Sequence, residues 1–286
     1  MSRVVVLTGG VGGAKLVLGL QQIVDPSRIT AIVNTGDDFR HLGLSVSPDI
    51  DTLLYTLSGK ANAAQGWGRE GEGWAFMDAL RSLGGEDWFA LGDGDLALHV
   101  WGTRGLANGE TLPSIIAGFA RAWDIAASIL PMSDDSVATS LSTDQGELAF
   151  QNYFVERQCA PVVSKIRFAG AEQAKPAPGV IDAITSQETR AILIAPSNPF
   201  LSIDPILAVP GISEALKRAA APVVAVSPIV GGKAIKGPTA KLMDGLDDEF
   251  LRFGGPDGGL AVVDHGGRAF VAAFFQDALG RDVGHY

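Results

Sequence analysis

Four aspartates crowd into eighteen residues of this chain. Asp37, Asp38, Asp49 and Asp51 lie in the stretch Asn34-Thr-Gly-Asp-Asp-Phe-Arg-His-Leu-Gly-Leu-Ser-Val-Ser-Pro-Asp-Ile-Asp51. An apolar run, Ala31-Ile32-Val33, leads into it and reads as a buried strand. In open α/β sheets, ligands bind just beyond the carboxyl ends of strands. Carboxylates gathered there bind a divalent cation, shift their pKa values, or stay solvated. The plainer reading makes Asp37 a turn cap and Asp49 a helix N-terminal residue. Ser47-Pro48 looks like an N-cap with proline at the first helical position. Ile50, Leu53, Leu54 and Leu57 would then form the buried face of a helix. On a regular helix Asp49 and Asp51 point in nearly opposite directions, so at most one should reach a ligand shared with Asp37 or Asp38.

A second set of residues suits anions. Val4 to Leu7 reads as a strand and runs into Thr8-Gly-Gly-Val-Gly-Gly-Ala-Lys15. Leu16, Val17, Leu20, Ile23 and Val24 follow at helical spacing. Strand, glycine turn and helix form the context in which backbone N–H groups take a phosphate. Close strand–helix packing is the structural alternative. Leu16 stands where a Walker A loop needs Ser or Thr, and Val33-Asn34 lacks the acid a dinucleotide fingerprint places there. The apolar run Ala191 to Ala195 is a buried parallel strand ending in Pro196-Ser197-Asn198 and, further on, Ser202. Val223 to Val226 is another strand. It ends in a glycine loop at Ser227 to Lys241 that contains Gly231, Gly232, Lys233, Lys236 and Lys241 and no acid.

Around these loops the chain alternates strands and helices. Trp88 to Leu91 reads as a short strand ending in Gly92-Asp93-Gly94-Asp95, with a helix from Leu96 to Trp101 carrying His99. A lone helical histidine is more often packing or surface than catalysis. Helices are also expected over Ala75–Leu83, Pro113–Trp123 and Ala269–Leu279, and strands over Ile125–Leu130 and Leu260–Val263. Val137–Ser142 and Leu148–Val155 flank a turn like a hairpin running into a helix. The loop 171–179 reads as a boundary. The pattern is a three-layer α/β/α sandwich on a mainly parallel, Rossmann-like sheet. It forms a single domain over 1–286 with a small inserted subdomain at about 134–186.

Composition narrows the function classes. With 286 residues, 47% of them apolar and 19% charged, the chain can bury a large core. A net charge of -10 argues against nucleic-acid backbones and anionic membranes as partners. The single cysteine, Cys159, excludes an intrachain disulfide and fits a cytoplasmic setting. There is no signal-peptide pattern at the start and no apolar run as long as a membrane span. There is no G-x-S-x-G and no Cys–His pairing, which disfavours acyl-enzyme chemistry. Acids beside anion loops suggest a Mg2+-dependent reaction at a phosphoryl centre.

Several motifs occur together in one order. They are Thr8-Gly-Gly-Val-Gly-Gly-Ala-Lys-Leu16, Asn34-Thr-Gly-Asp-Asp38 and His41-Leu-Gly-Leu-Ser-Val-Ser-Pro-Asp-Ile-Asp-Thr52. Leu130-Pro-Met-Ser-Asp-Asp135, Pro196-Ser-Asn-Pro199 and Ser227-Pro-Ile-Val-Gly-Gly-Lys-Ala-Ile-Lys-Gly-Pro238 follow. Over residues 3 to 243 this resembles the 2-phospho-L-lactate transferase (CofD/FbiA) family of coenzyme F420 biosynthesis. The resemblance implies that a ribityl hydroxyl of the deazaflavin Fo attacks the phosphorus that carries a three-carbon acid in a guanosine-diphosphate-linked donor. GMP leaves, and F420-0 or its dehydro form results. The acid would be phospholactate, phosphoenolpyruvate or phosphoglycerate.

The same resemblance assigns residues. Gly9, Gly10, Gly12, Gly13, Lys15, Ser197, Asn198, Ser202, Gly231, Gly232 and Lys236 would hold the nucleotide. His41, Asp49, Thr52 and Asp93 would contact substrate. Asp37, Asp38, Asp49 and Asp51 would hold Mg2+, with Asp37, Asp38 or Asp51 catalytic. A homodimer is implied. The family usually shows Gly-Asp-Arg-Asp where this chain has Gly92-Asp-Gly-Asp95, and the tail after Met243 departs from its usual ending. A non-enzymatic nucleotide-sugar-binding protein of the YvcK type shares the glycine loop and Asp-Asp pair. There Gly-Gly-Ser typically follows, where this chain has Phe39-Arg40-His41.

Overall fold

The computed structural model describes residues 2–226, 228–230, 233–234, 242, 260–263 and 269–272. Its centre is a five-stranded parallel sheet of β1 (Arg3–Thr8), β2 (Ile29–Val33), β5 (Ser128–Pro131), β9 (Thr189–Ile194) and β10 (Val223–Ala225), in the order β10-β9-β1-β2-β5. β1 pairs with β2 from Val4↔Ile29 to Thr8↔Val33, and with β9 as far as Leu7↔Ile194. The chain order therefore reverses around β1. The strands nearest the centre deliver their carboxyl ends, Thr8, Val33 and Ile194, side by side. That is the switch point at which open α/β sheets bind ligands.

Period-two alternation splits the core into two layers. Val6, Ala31 and Val33 face α1 (Val11–Leu20), α2 (Pro48–Leu57) and α5 (Leu112–Ala122), packing with Ala14, Val17, Leu53, Leu54 and Ile116. Val5, Leu7, Ile32, Ile192 and Ile194 face α6 (Val180–Thr185), α7 (Asp204–Ala208) and α8 (Ile212–Arg218). This is the expected three-layer sandwich. The remaining helices, α3 (Ala75–Ser82) and α4 (Asp93–Ala107), lie beside the α2 layer. Among the described residues, no single helix is long and apolar enough to cross a membrane.

A three-stranded antiparallel sheet interrupts the sandwich. β6 (Ala138–Thr143) sits between β7 (Gly146–Ala149) and β8 (Val163–Ala169), over a separate cluster of Leu141, Tyr153, Val163, Ile166, Phe200 and Leu201. The insert is thus narrower than 134–186, because α6 already belongs to the main core. The loop 171–179 is no boundary either: Ala171, Ala174 and Ala177 are buried in that core. Small side chains let an irregular segment pack close, and composition alone reads that as a boundary.

Three further differences have physical causes. Among the described residues, Trp88–Leu91 finds no strand partner. Trp88 and Phe89 pack instead on Phe39 and His41, with Phe89 4.8 Å from Phe39 edge to face and Trp88 5.2 Å from His41. Residues 39–46, read as loop, form a hairpin of β3 (Phe39–His41) and β4 (Leu44–Val46). Its two-residue turn places Leu42 at φ 51 and Gly43 at φ 78, the left-handed pair that matches strand twist. At the far end, Ala269–Ala272 is not helical. It is β14, antiparallel to β13 (Leu260–Val263), because Ala-Phe-Val-Ala also satisfies a period of two. Two short strands, β11 (Ile229–Val230) and β12 (Lys233–Ala234), form a further hairpin. Gly231, Gly232 and Lys236 lie outside the described residues.

Candidate active site

All four aspartates converge, including both from α2. The loop 34–38 folds over the N-terminus of α2 and meets it on two sides. On one side the buried Asn34 amide donates to Asp37 Oδ1 at 3.1 Å and to Asp49 Oδ2 at 2.9 Å, tying two carboxylates to one NH2 group. Asn34 Oδ1 accepts from Gly36 N at 2.8 Å, which fixes the amide's orientation. On the other side Ser47 Oγ donates to Asp38 Oδ2 at 2.7 Å. Asp49 and Asp51 diverge on the helix as their spacing predicts, and repulsion from both still reaches the loop acids. Their divergence on the helix is matched by two acids arriving on either side.

The electrostatics follow from crowding without water. Burial pushes Asp51 up to about 7, and Asp95 and Asp49 add to it while His99 opposes. Burial pushes Asp49 up to about 6, against the Asn34 amide and the Gly10 N–H. Asp37 and Asp38 both rise well above the usual carboxylate range. Burial is the main cause, with repulsion from Asp49, Asp38 and Asp51 acting on Asp37, and from Asp51 and Asp49 on Asp38. Asp38 Oδ1 is buried with no hydrogen-bond partner. An orphaned carboxylate oxygen among like charges costs free energy unless a cation or a proton joins it.

The glycine turn abuts the acids. A Cβ on Gly10 would stand 2.5 Å from Asp49 Oδ1, and the Thr52 hydroxyl lies 3.7 Å from the same point. Any other residue at 10 would push Asp49 off the turn. Gly9 faces Ser202 and Asp49, and its N–H donates to Ser197 Oγ at 3.0 Å. Gly12 and Gly13 do a different job. Gly12 packs on the Pro196 carbonyl, where a Cβ would sit 2.5 Å from the oxygen, and Gly13 packs on Thr8. Close strand–helix packing thus accounts for the second half of the turn, and the first half opens toward the acids. Lys15 is exposed on α1. Asn198 Oδ1 accepts from Phe200 N and Leu201 N, capping the turn that presents Ser202.

Two expected contact residues have structural partners. Asp93 accepts from Phe76 N at 3.1 Å and caps the start of α3. His41 is buried among Phe39, Trp88 and Phe89. At Gly94 the space a side chain would take is filled by the Arg69 guanidinium, which pairs with Glu72 at 2.9 Å. Glu72 in turn accepts from Gly94 N at 2.6 Å and Asp95 N at 3.1 Å, at the N-terminus of α4.

Among the described residues, no group of three or more His, Cys, Asp or Glu side chains is placed to hold a metal ion. The donor set nevertheless suits Mg2+. That ion keeps several waters and takes one or two carboxylates plus substrate phosphates, so it needs no complete protein cage. The Asp38 oxygen, which has no hydrogen-bond partner among the described residues, and the repelling acids around it could supply one or two carboxylates to such an ion.

The profile of the family described as 2-phospho-L-lactate transferase CofD matches residues 4–266. The chain belongs to the CofD family. A phosphoenolpyruvate transferase of Streptomyces griseus is 41% identical over 282 residues, covering 97% of this chain and 86% of the relative. One from Streptomyces coelicolor is 40% identical over 286 residues, covering 98% and 87%. A solved Bacillus halodurans protein of the UPF0052 family superposes with a TM-score of 0.55 at 22% identity, over 79% of this chain and 68% of that one, a likeness of fold.

Sequence reasoning passes over three residues of this candidate site. Asn34 was noted only for not being an acid. His99 was set aside as a lone helical histidine, yet it is 3% exposed between Asp51 and Asp95. Gln151 donates from Nε2 to the Asp37 carbonyl at 3.1 Å across 114 residues of chain. The spacings 51/55 and 95/99, each one helical turn, were the only available signal.

Proposed function

We propose that this chain transfers a phosphoenolpyruvyl-type group from a guanosine-diphosphate-linked donor to the terminal ribityl hydroxyl of the deazaflavin Fo. The hydroxyl oxygen attacks the phosphorus bearing the three-carbon acid. The bond from that phosphorus to the bridging oxygen breaks, GMP departs with the electron pair, and the hydroxyl proton passes to an aspartate. The product is the dehydro form of F420-0. The observation that carries this reading is the abutment of Asp49 on Gly10, which sets an acid cluster directly against a helix N-terminus. Anion cradle and cation half-shell are then adjacent, as a diphosphate ester needs.

Gly9, Gly10 and the Ser197–Ser202 segment line the donor side. Asp37, Asp38, Asp49 and Asp51 would hold Mg2+. When bound, the ion neutralises phosphate charge and polarises the phosphoryl oxygens. One of these aspartates takes the hydroxyl proton as general base. Asn34 and Ser47 orient the other carboxylates and keep them from turning away from the reacting phosphorus.

Among the three candidate acids, phosphoenolpyruvate is favoured because relatives near 40% identity carry that transferase name. The same names set aside the regulatory nucleotide-sugar reading. The test is mass spectrometry of the product formed from Fo, with each guanylylated donor offered in turn. Dehydro-F420-0 from the phosphoenolpyruvyl donor alone is the expected result. No product from any donor overturns the proposal. A homodimer belongs to the same proposal and is checked by light scattering.

A further inference from the structure

The buried histidine on α4 belongs to a closed square between two helices. α2 contributes Asp51 and, one turn on, Tyr55. α4 contributes Asp95 and, one turn on, His99. His99 Nδ1 lies 3.8 Å from Asp51 Oδ2, and Nε2, with no hydrogen bond among the described residues, lies at ion-pair distance, 3.5 Å, from Asp95 Oδ1. Tyr55 donates its hydroxyl proton to the same Asp95 oxygen and closes the figure. Residues four apart on a helix share a face, so each edge of the square is either one helical turn or one contact between helices. The far corner is anchored from outside, since Glu72 accepts from the Asp95 N–H at 3.1 Å and is itself paired with Arg69.

A histidine packed for volume alone would face apolar groups, and this one faces a carboxylate on each side. We infer that His99 is a positioning residue of the transfer site: braced by Asp95, it holds the Asp51 carboxylate turned toward Asp38 and Asp49. Without it, Asp51 is free to rotate toward the Tyr55 side and leave the cluster with three acids. The inference rests on the proposed function, because the cluster matters only if it binds a cation with a diphosphate.

The experiment compares wild type, His99→Phe, His99→Gln and Asp95→Asn in two assays. One is transfer to Fo. The other is calorimetric binding of guanosine diphosphate with and without Mg2+, which needs no turnover. His99→Phe keeps the ring volume but loses both nitrogens. It should weaken Mg2+-dependent binding and lower kcat by about 10- to 100-fold, the scale on which outer partners of metal ligands act. The KM for Fo should stay unchanged. His99→Gln, which retains a donor, should recover part of the loss, and Asp95→Asn should show a smaller loss of the same kind. A folded His99→Phe with wild-type binding and kcat overturns the inference. Should that variant not fold, an Asp95→Asn protein with wild-type values in both assays overturns it equally. Wild-type protein that shows no Mg2+-dependent binding at all instead overturns the functional reading beneath it.

Discussion

The two flanks of the acid cluster hold the same chemical groups by different means. Asp37 and Asp49 share a neutral amide, Asn34, that bonds both directly at 3.1 and 2.9 Å. Asp38 and Asp51 share nothing. Asp38 takes a hydroxyl from Ser47, and Asp51 has a histidine at ion-pair distance. The first flank is locked and its geometry is set within one loop and one helix turn. The second depends on α4, a separate helix. A locked pair suits ligands that must stay put, and an adjustable pair suits a group that must take up and release a proton.

The sharpest way to break this contrast is to neutralise one acid from each flank. Asp37→Asn and Asp51→Asn should each lose turnover by roughly 10³-fold or more while circular dichroism stays native-like, since the proposed cation-stabilised transfer depends on them. Near-normal rates in both would remove the assignment. The protonation of the cluster gives the next largest effect. Asp51 and Asp49 sit at about 7 and about 6 in the folded chain, against an ordinary 3.8. With folded values raised, the native state binds more protons than the unfolded one between pH 4 and 7. Ligand-free stability should therefore fall as pH rises through that window. Asp51 alone accounts for about 4 kcal/mol of the fall. Thermal melts from pH 4 to 8 check this, and Mg2+ with guanosine diphosphate should raise Tm more at pH 8 than at pH 5.

Smaller substitutions sharpen the comparison. Asn34→Ala strips both locked acids of their shared donor and should cost about 2 kcal/mol in urea unfolding, with turnover reduced. Ser47→Ala removes one hydroxyl from the adjustable flank and should cost about 1 kcal/mol, with a milder loss of rate. If the serine change proved the more damaging of the two, the distinction between the flanks would be wrong.

Much of this was legible in the chain itself. Apolar runs marked β1, β2 and β9, and polar residues at their ends marked the site, because strand ends in a parallel sheet are where buried backbone meets ligand. Ser47-Pro48 announced α2, and Pro48 is indeed its first residue. What could not be read was which acids meet. Helical phase says where Asp49 and Asp51 point, but only the path of residues 34–38 says what waits there. Asn34 and His99 were unreadable for a related cause: an amide or an imidazole acquires its role from partners on other segments. The segment 269–272 failed in the opposite direction, since Ala-Phe-Val-Ala fits either period and its partner strand decided.

The small antiparallel sheet bears on all of this from a distance. Thr139 N donates to the Gly36 carbonyl at 2.7 Å, and Gln151 reaches the next peptide oxygen, at Asp37. The insert is thereby moored to the loop on which two of the four acids ride. Loosening it, by mutation or by a ligand gripping its outer surface, would slacken the loop 34–38 without touching a single carboxylate.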